Sequence, residues 1–287
     1  MLRSMKELEN YAIRATDGTI GHVKDFYFDD ESWVVRYFVV DTGAWLSHRK
    51  VLISPIAIGH PNWVERVLYA SLTTEQVRNS PDIDTERPVS RQHEMSHLRY
   101  YGYPYYWGGT GLWGGVDDPS MMLMTGYDGF VPTPRSQPTE AEEKAWASAE
   151  AALHETDDPH LRSCKAVTGY HVEATDGGIG HVQGMLVDED SWAIRYLVVD
   201  TSNWWLGHQV LVAAQSIQDV SWSEETVSVN LTRQAVKDAP PYDAEALDRN
   251  LETNAPERYG LSGHWATEAE PDGSHPEAEA TTVNVRR

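Results

Sequence analysis

Tyr11-Ala12-Ile13-Arg14-Ala15 alternates bulky apolar with small or charged side chains, the period of two that predicts a β-strand. Asp17-Gly18 follows, the dipeptide that takes positive φ in a tight hairpin turn. The next strand, Ile20 to Asp29, sets Ile20, His22 and Lys24 against Gly21, Val23 and Asp25 before becoming wholly apolar at Phe26-Tyr27-Phe28. A polar turn, Asp29-Asp30-Glu31-Ser32, leads into Trp33 to Asp41, rich in β-branched and aromatic residues, and Gly43 ends it. Val51-Leu52-Ile53 and Val67 to Ala70 supply further short strands, and Thr73 to Arg78 reads as a capped helical turn or two before Pro81. Five or six short strands in about 80 residues predict a small, curved sheet that closes into a barrel. In the Trp33 to Asp41 strand, alternation puts Val35, Tyr37 and Val39 on one face and Val34, Arg36, Phe38 and Val40 on the other. Both faces are apolar, so one lines the barrel and a helix, an aromatic tract or a second barrel covers the other.

The pattern then repeats. Leu2-Arg3-Ser4-Met5-Lys6 returns as Leu161-Arg162-Ser163-Cys164-Lys165, and the stretch Tyr11 to Val23 returns as Tyr170 to Val182. Ser32-Trp33, Arg36-Tyr37 and Val39-Val40-Asp41-Thr42 return as Ser191-Trp192, Arg195-Tyr196 and Val198-Val199-Asp200-Thr201. The register is constant at about 159 residues, with roughly 40% identity over some 80 positions and a local shift around Trp45 and Trp204. Two copies of one small domain follow, with the strand faces of the second being Ile194, Tyr196, Val198 and Ala193, Arg195, Leu197, Val199.

These residues resemble a known family. The opening L-R-S-x-K, D-G-x-I-G-x-V, an acidic turn followed by Trp, the R-Y-x-V-V-D-T strand and a Trp-Leu segment leading to Val-Leu are similar to the PRC-barrel domain. That domain is shared by the cytoplasmic part of the photosynthetic reaction-centre H subunit and a ribosome maturation factor. The resemblance implies adaptor barrels with no shared catalytic residue, and a fold does not by itself assign an activity.

The expected fold is therefore mainly β: two small PRC-type barrels in tandem, with short helices and a disordered acidic tail. The first barrel is expected at residues 1–84 and the second at 161–243. Between them stand a helical connector with a Tyr/Trp/Gly-rich tract (85–115) and a linker with a short acidic helix (116–160). A short helix with an aromatic remnant (244–265) and the tail (266–287) follow. The tract around Tyr101, Tyr103, Tyr105, Tyr106, Trp107 and Trp113 either lies over a barrel or forms a contact strip for a partner.

Composition narrows the classes. There are 44 Asp+Glu against 23 Lys+Arg, a net charge of -21, which repels phosphate backbones and anionic lipid, so no nucleic-acid partner is expected. Apolar runs are cut short, as at Arg36 and Asp41, so no transmembrane segment is expected. An opening without an apolar signal region and the single Cys164 lead to the expectation of a cytoplasmic protein.

Candidate chemistry is sparse. His93-Glu94-Met95-Ser96-His97 has the H-E-x-x-H spacing that puts two imidazoles on one helix face for Zn²⁺ with the Glu as general base. Its flanks, Arg91, Gln92 and Arg99, are polar, so the expected structure is a solvated connector, with His93 and His97 the sole metal candidates and no cofactor. His22 and His181 are equivalent strand residues that a repeat would copy along with its neighbours, and Arg36 and Arg195 are expected to pair with Asp29 and Asp188. Asp30, in the acidic turn, is expected to tolerate replacement by Asn.

The function expected is a non-enzymatic adaptor or scaffold that mediates protein–protein interaction, with barrels paired inside the chain or in a homodimer. The alternatives are three. A peripheral cytoplasmic partner of a membrane complex would support electron transfer and proton uptake, as the reaction-centre H subunit does, but here without the membrane helix. A ribosome-assembly factor would carry an RNA-linked domain before the barrel, which here begins at Leu2. A zinc-dependent hydrolase would act through His93, Glu94 and His97.

Overall fold

The computed structural model describes residues 1–59, 61–81, 91–107, 110–123, 161–201, 208–239 and 241–242; residues 124–160 of the linker expected at 116–160, and the segments expected after 243, lie outside them. The first repeat runs β1 (Leu2–Ser4), α1 (Met5–Leu8), β2 (Ala12–Arg14), β3 (Thr19–Asp29), β4 (Val34–Asp41), β5 (Lys50–Ile53), β6 (Val67–Tyr69) and α2 (Thr74–Arg78), followed by α3 (Arg91–Tyr101). The second runs β7 (Leu161–Ser163), α4 (Cys164–Val167), β8 (His171–Ala174), β9 (Gly177–Asp188), β10 (Ile194–Asp200), β11 (Gln209–Ala213), β12 (Ile217–Ser221), β13 (Thr226–Val229) and α5 (Arg233–Asp238). The chain is mainly β, with a six-stranded and a seven-stranded sheet and a few short helices. No described helix is long and apolar enough to cross a membrane.

The sheets are ordered β5-β4-β3-β2-β6 and β11-β10-β9-β8-β13-β12, and each takes one further strand from the opposite repeat. β1 pairs with β9, Leu2 opposite Asp188 and Ser4 opposite Leu186, while β7 pairs with β3, Leu161 opposite Asp29 and Ser163 opposite Tyr27. The exchange has a simple cause. The hairpin partner β2 covers only Thr19 to His22 of the long β3, so the apolar half at Phe26-Tyr27-Phe28 has an open edge whose backbone groups need partners. β7 fills that edge, and β1 does the same for β9. One apolar core consequently runs through both repeats, from Ile13, Ile20, Phe26 and Phe38 to Val172, Ile179, Leu197 and Val199.

Alternation along β4 holds from Tyr37 onward and fails before it. The ladder shifts register between Tyr27 and Phe28, which pair with Tyr37 and Val35, leaving Arg36 as an extra residue. Val35 therefore joins Phe38 and Val40 in the main core, while Tyr37 and Val39 pack with Tyr27, Leu52 and the exchanged Leu161 on the outer face. β10 shifts likewise between Ile194 and Tyr196.

The Ile-Gly-His-Val segment of each repeat needs its glycine. A Cβ on Gly21 would collide with the Asp41 carbonyl of the neighbouring strand, and one on Gly180 with the Asp200 carbonyl, where φ is also +143°. Gly21→Ala should cost about 1–3 kcal/mol and Gly180→Ala more. Urea midpoints of the two variants in the full chain test this, and an unchanged midpoint for Gly180→Ala would refute the close approach.

Candidate functional site

The repeats meet on a pseudo-twofold axis. Trp33 and Trp192 follow the acidic turns with left-handed φ of 55° and 58°, and their carbonyls cross the seam, Trp33 accepting from Ile194 N–H at 2.7 Å and Trp192 from Val35 N–H at 2.9 Å. The Trp192 ring lies edge-on to Phe38 of the other repeat, centroids 4.8 Å apart. Arg3 donates to Glu189 at 2.8 Å and stacks over Trp63, and the equivalent Arg162 donates to Asp30 at 2.9 Å and stacks over Trp222. Asp30 is thus bound across the seam and is not a free turn carboxylate, so Asp30→Asn would remove the charge that faces Arg162.

Between α1, α4, β3 and β9 lies a cavity of about 320 Å³ lined by equivalent pairs, Met5 with Cys164, Lys6 with Lys165 and Phe26 with Met185. One wall is polar. Asp25 accepts from the Ser163 hydroxyl at 2.5 Å and from Lys165 N–H at 3.2 Å, capping α4, where the second repeat has Gly184. Burial pushes the Asp25 carboxyl up despite these bonds, and it pushes the enclosed Cys164 thiol well up, leaving it a poor nucleophile.

Over the first barrel lies a lid. α3 is not the solvated connector its flanking charges suggest, because Glu94, His97 and Leu98 share one buried face. One polar atom of each acidic or imidazole side chain has a local partner, while His97 Nδ1 is buried without a hydrogen bond. His97 Nε2 donates to the Leu52 carbonyl at 3.0 Å, its ring edge-on to Tyr37, and Glu94 accepts from the Tyr106 hydroxyl at 2.5 Å. The two H-E-x-x-H groups are thus held by separate structural bonds, and the side chain of His93 lies outside the described residues. Gly102, at φ +70°, ends α3 and lets the chain double back, Tyr103 N–H returning to the Leu98 carbonyl at 2.8 Å.

The returning tract encloses Arg36. Its guanidinium donates to the Leu112 carbonyl at 2.7 Å and the Ser32 hydroxyl at 3.0 Å, and it meets Asp29 at 3.5 Å. It also lies 3.8 Å from the Tyr106 ring centroid and 4.6 Å from that of Trp113. Trp113 Nε1 donates to the Ser191 carbonyl of the second repeat at 2.8 Å, so the lid grips both repeats. Arg195, the counterpart of Arg36, has its pKa lowered by burial, with Asp188 and the lid's Asp117 acting against the shift. Of the six aromatic contact candidates, Tyr103, Tyr106 and Trp113 are buried, which removes them from any contact strip, and Tyr101, Tyr105 and Trp107 are half-buried. The physical reason is that an unshielded Arg36 and an apolar outer face both gain from aromatic cover.

Burial pushes His97 down to about 4, with only a partial offset from the Leu52 carbonyl. The unfolded chain therefore takes up this proton first as pH falls. Its contribution is complete above the ordinary value near 6.5 and is lost as pH drops toward 4, about 3 kcal/mol in all. Urea midpoints across this window should fall more steeply for the protein than for His97→Asn, and parallel slopes would refute a neutral, buried His97.

Outside the lid, a small aromatic and basic face is left on the first barrel. Trp45 and Tyr100 are 36% and 39% exposed; Arg78 lies over Trp45, and the Tyr100 hydroxyl donates to the Gln76 carbonyl of α2. Arg49 donates to the Arg78 and Ser80 carbonyls, fixing it along the same helix end, and Lys50 beside it is exposed. The sequence pattern missed this grouping because Trp45, Arg49, Arg78 and Tyr100 come from three separate segments. Among the described residues no three His, Cys, Asp or Glu side chains gather in a way that could hold a metal ion.

Residues 3–69, spanning the first repeat from within β1 to the end of β6, match the PRC-barrel domain. An uncharacterized protein of Deinococcus radiodurans is 33% identical over 99 residues, which cover 30% of this chain and 35% of that protein. The chain thus spans about a third of the length of the curated relative it matches.

Proposed function

We propose that the chain is a non-enzymatic adaptor, a tandem of two PRC barrels that docks a protein partner through the face of Trp45, Arg49, Arg78 and Tyr100. The observation that carries this reading is the clustering of two half-exposed aromatic rings with arginines held in place by α2, in a chain of net charge -21. Trp, Tyr and Arg are the residues that dominate binding hot spots, and rings already fixed by hydrogen bonds, Trp45 Nε1 to the Ile20 carbonyl at 2.7 Å and Tyr100 to Gln76, lose little entropy when a partner arrives. Local positive charge on an acidic molecule favours a partner that presents carboxylates and disfavours like-charged copies of the chain. The exchanged strands and the shared lid give this face a rigid base.

The test is cross-linking and affinity capture with the full chain, its Trp45→Ala/Tyr100→Ala variant, and Val64→Ala as a control at an exposed turn. A partner held by the parent and by Val64→Ala should bind the double variant at least tenfold more weakly, roughly 1.4 kcal/mol or more. Undiminished binding by the double variant, with its fold confirmed by circular dichroism, would overturn the assignment of this face.

A further inference from the structure

The repeats differ at one point where the second barrel gains a chemical group. In the first, Ala12 on β2 stands opposite His22 on β3; in the second, His171 on β8 stands opposite His181 on β9. The two imidazoles meet with ring centroids 4.4 Å apart and planes inclined at 47°. His171 is exposed and His181 half-buried, so the pair opens to solvent. We propose that His171 and His181 chelate a divalent late transition-metal ion, Zn²⁺, Ni²⁺ or Cu²⁺, through one ring nitrogen each.

The geometry suits such an ion. Two nitrogens bound to one metal at about 2.0–2.1 Å stand roughly 3 Å apart, a separation that two tilted rings with centroids 4.4 Å apart reach by rotating about their terminal side-chain torsion. Both histidines sit on paired, hydrogen-bonded strands, so the backbone holds the two donors in place before the ion arrives. Asp200 lies opposite His181 on the next strand, in the same row across the sheet, and adds negative charge on the cation's side. With no third protein ligand gathered among the described residues, the other coordination positions go to water, which makes this an exchangeable site. Imidazole donors select late transition metals over Mg²⁺ and Ca²⁺, which demand oxygen ligands.

The experiment is calorimetric titration of untagged full-length protein with zinc, nickel and magnesium salts, together with thermal melts in each. His171→Ala is the decisive variant, because it gives the second barrel the residue the first already carries at Ala12 and so preserves the fold. Zinc or nickel should bind the parent and raise its melting temperature, while His171→Ala and His181→Ala should each bind at least tenfold more weakly and lose that rise. His22→Ala should behave as the parent, and magnesium should have no effect. Parent-like zinc and nickel affinity in His171→Ala, or an equal loss in His22→Ala, would overturn the proposal.

Discussion

Val39→Asp should destabilise the full chain by about 3–5 kcal/mol. Val39 is 3% exposed and packs on the outer face with Tyr27, Tyr37, Leu52 and Leu161, the last contributed by the exchanged β7. A carboxylate there would be buried without a partner, and it would loosen the exchanged strand as well. Its counterpart Val198 is 5% exposed and packs with Leu186 and Leu211, but the aromatic neighbours Tyr196 and Tyr242 are only partly buried. An aspartate can reach water more easily at that rim, so Val198→Asp should cost visibly less. Urea melts of the two full-length variants decide the point. Equal midpoints would mean that α3 does not shield the first barrel as described, and a parent-like midpoint for Val39→Asp would remove this residue from the core.

Trp113→Ala should cost a similar amount, about 3–5 kcal/mol. Its ring is 1% exposed, covers the Arg36 guanidinium and sends a hydrogen bond to Ser191 in the other repeat, so truncation opens a cavity and strips a buried cation of part of its cover. The damage should be local first. Amide hydrogen exchange in α3 and around Leu112 should speed up more than exchange in β2 or β8. Trp113→Phe, which keeps a ring but loses the bond to Ser191, should fall between the parent and Trp113→Ala. A loss below about 1 kcal/mol for Trp113→Ala would show that the lid contributes little.

The strands and the duplication were legible in the amino-acid order, because hydrophobic period acts between residues close along the chain; the β2–β3 hairpin forms at Asp17-Gly18 as expected, but neither residue takes the positive φ expected of that dipeptide. The Arg36 pairing with Asp29 was legible for the same reason, the two facing each other across one hairpin. The expected layout of two tandem barrels, by contrast, says nothing of which edge β1 and β7 would choose. That choice depends on the open half of a long strand in the other repeat, a contact between residues such as Leu161 and Asp29 that no local pattern encodes.

The helix at 91–101 shows the same divide. Arg91, Gln92 and Arg99 pointed to a solvated connector, because a sequence shows the cost of burying Glu94 and His97 but not the Leu52 carbonyl and Tyr106 hydroxyl that each of them bonds. The pairing of His171 with His181, the grouping of Trp45 with Arg78 and Tyr100, and the binding of Asp30 to Arg162 belong to this second class. By itself the sequence determined a duplicated, β-rich chain with its strand faces assigned in outline. Only the tertiary structure decided which polar groups are paired inside and which are left on the surface, because that depends on long-range packing between segments far apart in the chain.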